Sequence, residues 1–232
     1  MATRFYFTDS EAAAVSPTIS STDWTHILAE RRRLLTTPDS STLNLQAYSP
    51  DAADDLADGT AHHRQYVGDA MAAQTISGTV TAQFQGREDH AANNLFLTLK
   101  IYIVSNDGTT IKETLLAITR DTTNELRQDL AENRDFPSVA IASVDVEAGD
   151  RPVVEVGVGG DPGSGGGVQG HNAIMRWGCN ASSGDLPVDD TETGTTFRPW
   201  IEFSDTITFG EAAVLPPLPT FVRQAVHRAF SY

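Results

Sequence analysis

The side chains able to do chemistry in this chain are scattered rather than grouped. Six histidines, His26, His62, His63, His90, His171 and His227, follow no HExxH or other zinc-like spacing. Cys179 is the only cysteine, so neither an intrachain disulfide nor a CxxC motif can form. A lone thiol in strand-flanking sequence reads as inert packing, with a nucleophile paired to His171 as the sharper alternative. Ser164 has Pro162 where a nucleophile elbow of the GxSxG type needs its first glycine. The glycine-rich run 159–167 has no lysine after it, and a phosphate-binding P-loop requires one. These patterns single out no catalytic residue and no cofactor site.

One cluster has the right atoms for a hard cation. The stretch Asp185-Leu186-Pro187-Val188-Asp189-Asp190-Thr191-Glu192 gathers carboxylates, and Asp185, Asp189 and Asp190 are the expected Ca²⁺ ligands, although the spacing is not that of an EF-hand. A solvated acidic loop is the alternative. Trp177 and Trp200 are candidate glycan-binding aromatics if exposed and core residues if not. Arg31-Arg32-Arg33 is a basic run in an acidic chain and reads as a solvated patch or a contact to an acidic neighbour.

The totals narrow the partners. A formal net charge of -15 works against phosphate backbones, so nucleic acid is not an expected partner. No apolar run approaches the roughly 18 residues of a membrane span, so no membrane insertion is expected. The first ten residues do not read as a cleavable secretory signal. At 232 residues the chain is long enough for one full-sized core.

Elements that could position these residues are mostly strands. The segment 95–104, the turn Asn106-Asp107-Gly108 and the segment 110–118 predict a β-hairpin. The segments 138–146 and 151–158 predict a second pair about Gly149-Asp150, with further strands at 3–7, 43–48, 75–84, 173–177 and 200–209. Residues 51–69 and 157–170 read as long solvated loops. Thr122-Thr123-Asn124-Glu125 resembles a capping box and predicts a short crossover helix over 122–133.

The expected architecture is all-β: a jelly-roll-like β-sandwich of about eight or nine strands over residues 1–210, followed by a Pro-rich arm and short amphipathic helix over 211–232. On that helix Phe221, Val222, Val226 and Phe230 share one face, with Arg223 on the other; the stripe either folds back on the chain's own sandwich or docks on a neighbouring chain, and in the second case these five are the expected partner-binding residues.

Several segments together resemble a family of small proteins encoded among the structural genes of tailed phages and related viruses. They are Ala2-Thr3-Arg4-Phe5-Tyr6-Phe7 with Val15-Ser16-Pro17, the hairpin from Val104 into Leu116, the stretch 144–155 containing Ala148-Gly149-Asp150-Arg151, and Pro199-Trp200-Ile201-Glu202-Phe203-Ser204. The resemblance covers about half the chain and carries no catalytic residues. It implies a non-enzymatic protein on the exterior of a tailed-virus virion, as a head decoration, turret or vertex protein, or a tail component. The implied partners are further copies of itself and the major capsid or tail protein. The alternative is a host-recognition jelly roll that binds a surface glycan.

Overall fold

The computed structural model describes residues 1–24, 31–48, 61–90, 94–160, 172–189 and 191–210. Its regular elements there are all strands, which gives the all-β sandwich expected from the alternating pattern. One layer is built from β7 (Thr79–Glu88), which pairs β10 (Glu132–Ala140) along one edge. Along the other edge it pairs β16 (Trp200–Phe203) and β13 (Ala173–Trp177), and β4 (Asn44–Tyr48) lies beyond β13. The other layer runs β3 (Arg31–Leu35), β5 (Ala61–Val67), β12 (Arg151–Gly160), β8 (Leu95–Val104) and β9 (Ile111–Arg120), with β2 (Thr22–Asp23) also on β5. Short pairs β6 (Gln74–Ile76) with β11 (Val144–Val146), and β14 (Gly184–Asp185) with β15 (Phe197–Arg198), complete the set.

β1 (Thr3–Ala12) ties the layers together. Thr3 to Tyr6 register with β16, while Tyr6, Phe7 and Ala12 register with β3. Its alternation explains why it can serve both: Phe5 and Phe7 are fully buried in the shared core. Phe7 meets Tyr66 of β5 edge-on at 4.9 Å and Phe84 of β7 at 4.8 Å, so side chains from both layers close on one residue. The β8–β9 hairpin forms as the sequence predicts. Gly108 takes φ 75°, and Asp107 Oδ1 accepts from the Thr109 N–H at 3.1 Å.

Three expectations are corrected. The crossover helix over 122–133 is absent, because its backbone groups are taken by tertiary partners. Asp121 Oδ1 caps the Thr123 N–H at 2.9 Å, the Leu126 N–H donates to Leu95 O at 2.8 Å, and Glu125 O accepts from Arg134. The second hairpin is also absent: β11 pairs β6, and β12 pairs β5 and β8. Residues 61–67, expected within a solvated loop, form the fully buried strand β5. The arm at 211–232, with Phe221, Val222, Arg223, Val226 and Phe230, lies outside the described residues.

β5 and β12 approach so closely that Gly157 has no room for a side chain: a Cβ there would lie 1.9 Å from His62 O. Gly157→Ala should therefore pry the two central strands apart and cost about 2 to 4 kcal/mol, read as a fall in the urea midpoint. Gly210→Ala, whose nearest neighbour would be Ala72 Cβ at 3.6 Å, should leave the midpoint unchanged.

Candidate functional site

The densest polar chemistry lies on the outer face of β5, β12 and β8, where alternation sends His63, Gln65, Glu155, Thr98 and Tyr102 away from the aromatic core. All five are buried all the same. Residues 13–24 cover this face: Ala13 and Val15 pack on Val67, Tyr102, Val104 and Val153. Further along, β2 runs parallel to β5 and the Trp24 N–H donates to His63 O at 2.8 Å.

Glu155 is the hub. Its Oε1 accepts from the Tyr102 hydroxyl at 2.6 Å, from Gln65 Nε2 at 3.1 Å and from the Ser20 N–H at 3.0 Å. Its Oε2 accepts from the hydroxyls of Ser20 at 2.7 Å and Ser21 at 3.2 Å. Burial pushes this carboxyl up, but the contributions of His63, Ser20 and Tyr102 outweigh it and hold the group at about 2. His63 moves down, because burial disfavours the imidazolium more than Glu155 favours it. A buried carboxylate beside a neutral imidazole results.

His63 Nε2 lies 2.8 Å from Thr98 Oγ1, and its Nδ1 lies 3.7 Å from Glu155 Oε2. Hydroxyl, imidazole and carboxylate thus stand in the order used for nucleophilic catalysis. The resemblance ends at access and geometry. Thr98 is 2% exposed and His63 0%, whereas a working nucleophile must meet a substrate, and 3.7 Å is too long for a hydrogen bond. The series therefore fastens residues 18–24 to the sheet. Sequence reading missed it by placing His62 and His63 in a loop.

A second perturbed carboxyl is Glu88, at the end of β7. Its Oε2 accepts from the Leu95 N–H at 3.1 Å, and it lines a small opening with Glu125 and Arg127. Burial, with the charges of Glu125 and Asp89, outweighs that hydrogen bond and raises the group to about 7. A wider cleft of about 610 Å³ is lined by Glu11, Arg33, Asp69, Arg151 and Phe209, among others. Within it Arg33 bridges Glu11 and Asp69 at 2.9 Å each, so its charges are largely balanced.

The residues singled out from sequence are placed as follows. Asp185 is engaged by arginines: Oδ2 accepts from Arg4 at 2.7 Å, and Oδ1 accepts from Arg198 at 2.6 Å. Asp189 Oδ1 caps the N–H groups of Thr191 and Glu192 at 2.9 and 3.0 Å. Asp190 lies outside the described residues. Asp185 and Asp189 have turned to guanidinium and backbone donors, and among the described residues no group of three or more His, Cys, Asp or Glu is placed to hold a metal.

Trp177 is fully buried against Trp24, Tyr66 and Phe84. Trp200 is 2% exposed, lies under the Arg4 guanidinium and donates Nε1–H to Leu186 O at 2.8 Å. Neither indole presents a surface to a glycan. Arg31 pairs with Asp23 at 2.9 Å and Arg33 with Glu11 and Asp69, so these arginines of the basic run are bound within the chain. Cys179 is buried beside Asp39 and Ser41, and burial pushes its thiol up to about 11.

No family model matches this chain, and no curated protein matches it. Among solved structures, an aminopeptidase from the marine sediment archaeon Thaumarchaeota archaeon matches with a TM-score of 0.51 at 11% identity, over 88% of this chain and 36% of that one. A CocE/NonD family hydrolase from Staphylococcus aureus matches with a TM-score of 0.49 at 10% identity, over 90% of this chain and 36% of that one. Particles derived from infectious bursal virus give a TM-score of only 0.24 at 15% identity, over 80% and 39%, which is too low to carry an argument.

The chain thus spans about a third of the length of the hydrolytic structures it matches. At this identity the likeness establishes the fold alone. The expectation of a non-enzymatic virion exterior protein with a glycan-binding alternative is corrected by the aminopeptidase match, since a structure that shares this fold at a TM-score above 0.5 belongs to a hydrolytic protein. What stands of the phage resemblance is the all-β sandwich.

Glu88 gives a pH prediction with a definite sign. Its folded value lies above the usual 4.5, so its contribution is complete below about 4.5 and is lost as pH rises through about 7. Glu88→Gln keeps an acceptor for the Leu95 N–H and removes that loss. Melting curves should show the variant equal to wild type at pH 4 and more stable at pH 8, on the order of 1 to 2 kcal/mol after solvent screening. A variant less stable at pH 8 would contradict the assignment.

Proposed function

We propose that this chain serves as a β-sandwich module of a hydrolase and packs beside a unit that cleaves an amide or ester bond. The extent of the match carries the reading: 88% of this chain falls on 36% of the archaeal aminopeptidase, so a unit of this fold and size occurs within a larger hydrolytic chain. The sealed Thr98–His63–Glu155 series fits the same division of labour, since it builds the module and leaves substrate chemistry to a neighbouring unit.

The surface we assign to the contact is β9, the outermost strand of its layer. Ile111 and Ile118 on it are 48% and 47% exposed. Apolar side chains on a long edge strand are a liability in a free module and are useful where a partner covers them.

The test is to purify the tagged full chain from its native source and assay it with p-nitrophenyl butyrate and L-alanine p-nitroanilide. Cleaving activity should travel with the chain, and the double variant Ile111→Asp/Ile118→Asp should shed it without a change in melting temperature. A preparation that cleaves neither substrate overturns the hydrolase reading. Activity retained by the double variant overturns the assignment of β9.

A further inference from the structure

Asp121 follows the last residue of β9, and its N–H donates to Leu97 O at 2.9 Å, which fixes the residue against β8. The side chain is 3% exposed. Oδ1 is used on the Thr123 N–H at 2.9 Å, whereas Oδ2 is buried without any hydrogen-bond partner. A buried carboxylate oxygen left in this way is costly unless a positive charge or a donor meets it.

Beside it lies an opening of about 230 Å³ lined by Asp121, Thr123, Asn124, Asp135 and Pro137. Every lining residue except the proline has a side-chain oxygen, and no lysine, arginine, histidine or cysteine is among them. Asp135 Oδ1 accepts from Gln83 Nε2 at 2.5 Å, which orients that carboxylate from β10. The neighbouring Arg120 donates Nη1–H to Gly160 O at 2.5 Å and stacks over Phe96.

We propose that Asp121 and Asp135, assisted by Thr123 and Asn124, form a binding site for a hard divalent cation of the calcium class. Two carboxylates balance the charge, oxygen donors suit Ca²⁺ and not zinc, and the opening leaves room for the waters that complete a shell of six to eight oxygens. The ion would link the loop after β9, at the rim of one layer, to β10, at the rim of the other. It would therefore staple the sandwich along its open side. The site is distinct from the acidic loop at Asp185.

The test uses the full chain, stripped with chelator and held in 0.2 M salt so that the acidic surface is screened. Equilibrium dialysis against radioactive Ca²⁺ and melting curves with and without Ca²⁺ are measured for wild type, Asp121→Asn, Asp135→Asn and Asp185→Asn. Wild type should bind one tight Ca²⁺ and melt higher with it. Asp121→Asn and Asp135→Asn should lose both effects, and Asp185→Asn should keep them. Should Asp121→Asn fail to fold, Asp135→Asn and the wild-type dialysis still decide. Absence of tight binding by wild type, or its persistence in Asp135→Asn, overturns the proposal.

Discussion

The interaction on which the rest of the structure depends is the carboxylate of Glu155, fully buried in the middle of β12 and met by five hydrogen bonds from Ser20, Ser21, Gln65 and Tyr102. A charge in that position is tolerable only if its lone pairs are occupied, because a buried and unpaired carboxylate is prohibitively expensive. The donors come from β5, β8 and the segment 18–21, so satisfying one side chain fixes three parts of the chain at once. With the folded group held at about 2, its contribution is complete above about 4.5 and falls away as pH drops through about 2.

This arrangement also decides what the sandwich can do. Hydroxyl, imidazole and carboxylate are lined up at Thr98, His63 and Glu155, yet residues 13–24 cover them and Trp24 is tied to His63 O. A constellation of catalytic composition is thereby spent on architecture. Among the described residues the surface features include an edge strand with two exposed isoleucines, a charge-balanced cleft around Arg33, and two openings, one beside the perturbed carboxyl of Glu88 and one beside Asp121, whose Oδ2 has no hydrogen-bond partner. A module that acts by contact with a neighbouring unit needs surfaces of this kind more than it needs a nucleophile.

How much of this the sequence disclosed depends on where the determining contacts lie. β1, β13 and the β8–β9 hairpin were legible because their alternation and turn residues are local. The strand β5, Ala61–Val67, was not legible, because four of its seven residues are polar and their burial depends on partners far along the chain. Ser20 and Glu155, for example, are 135 residues apart. The missing helix at 122–133 fails for the same reason, the backbone N–H of Leu126 and carbonyl of Glu125 having been taken by Leu95 and Arg134. At the acidic loop the carboxylates were visible, but Arg4, which claims Asp185, lies 181 residues away. The second carboxylate oxygen of Asp121, Oδ2, has no sequence signature, since it is defined by what does not approach it.

The most direct test of this account is amide hydrogen exchange at Ser20 and Trp24 in wild type and in Glu155→Gln, with Ile101 and Val154 as references inside β8 and β12. If Glu155 holds the N-terminal segment to the sheet, Ser20 and Trp24 exchange slowly in wild type at pH 7. They should become much faster in the variant, while Ile101 and Val154 stay protected. Fast exchange of Ser20 and Trp24 in wild type, or unchanged slow exchange in the variant, would contradict the central place given to this carboxylate.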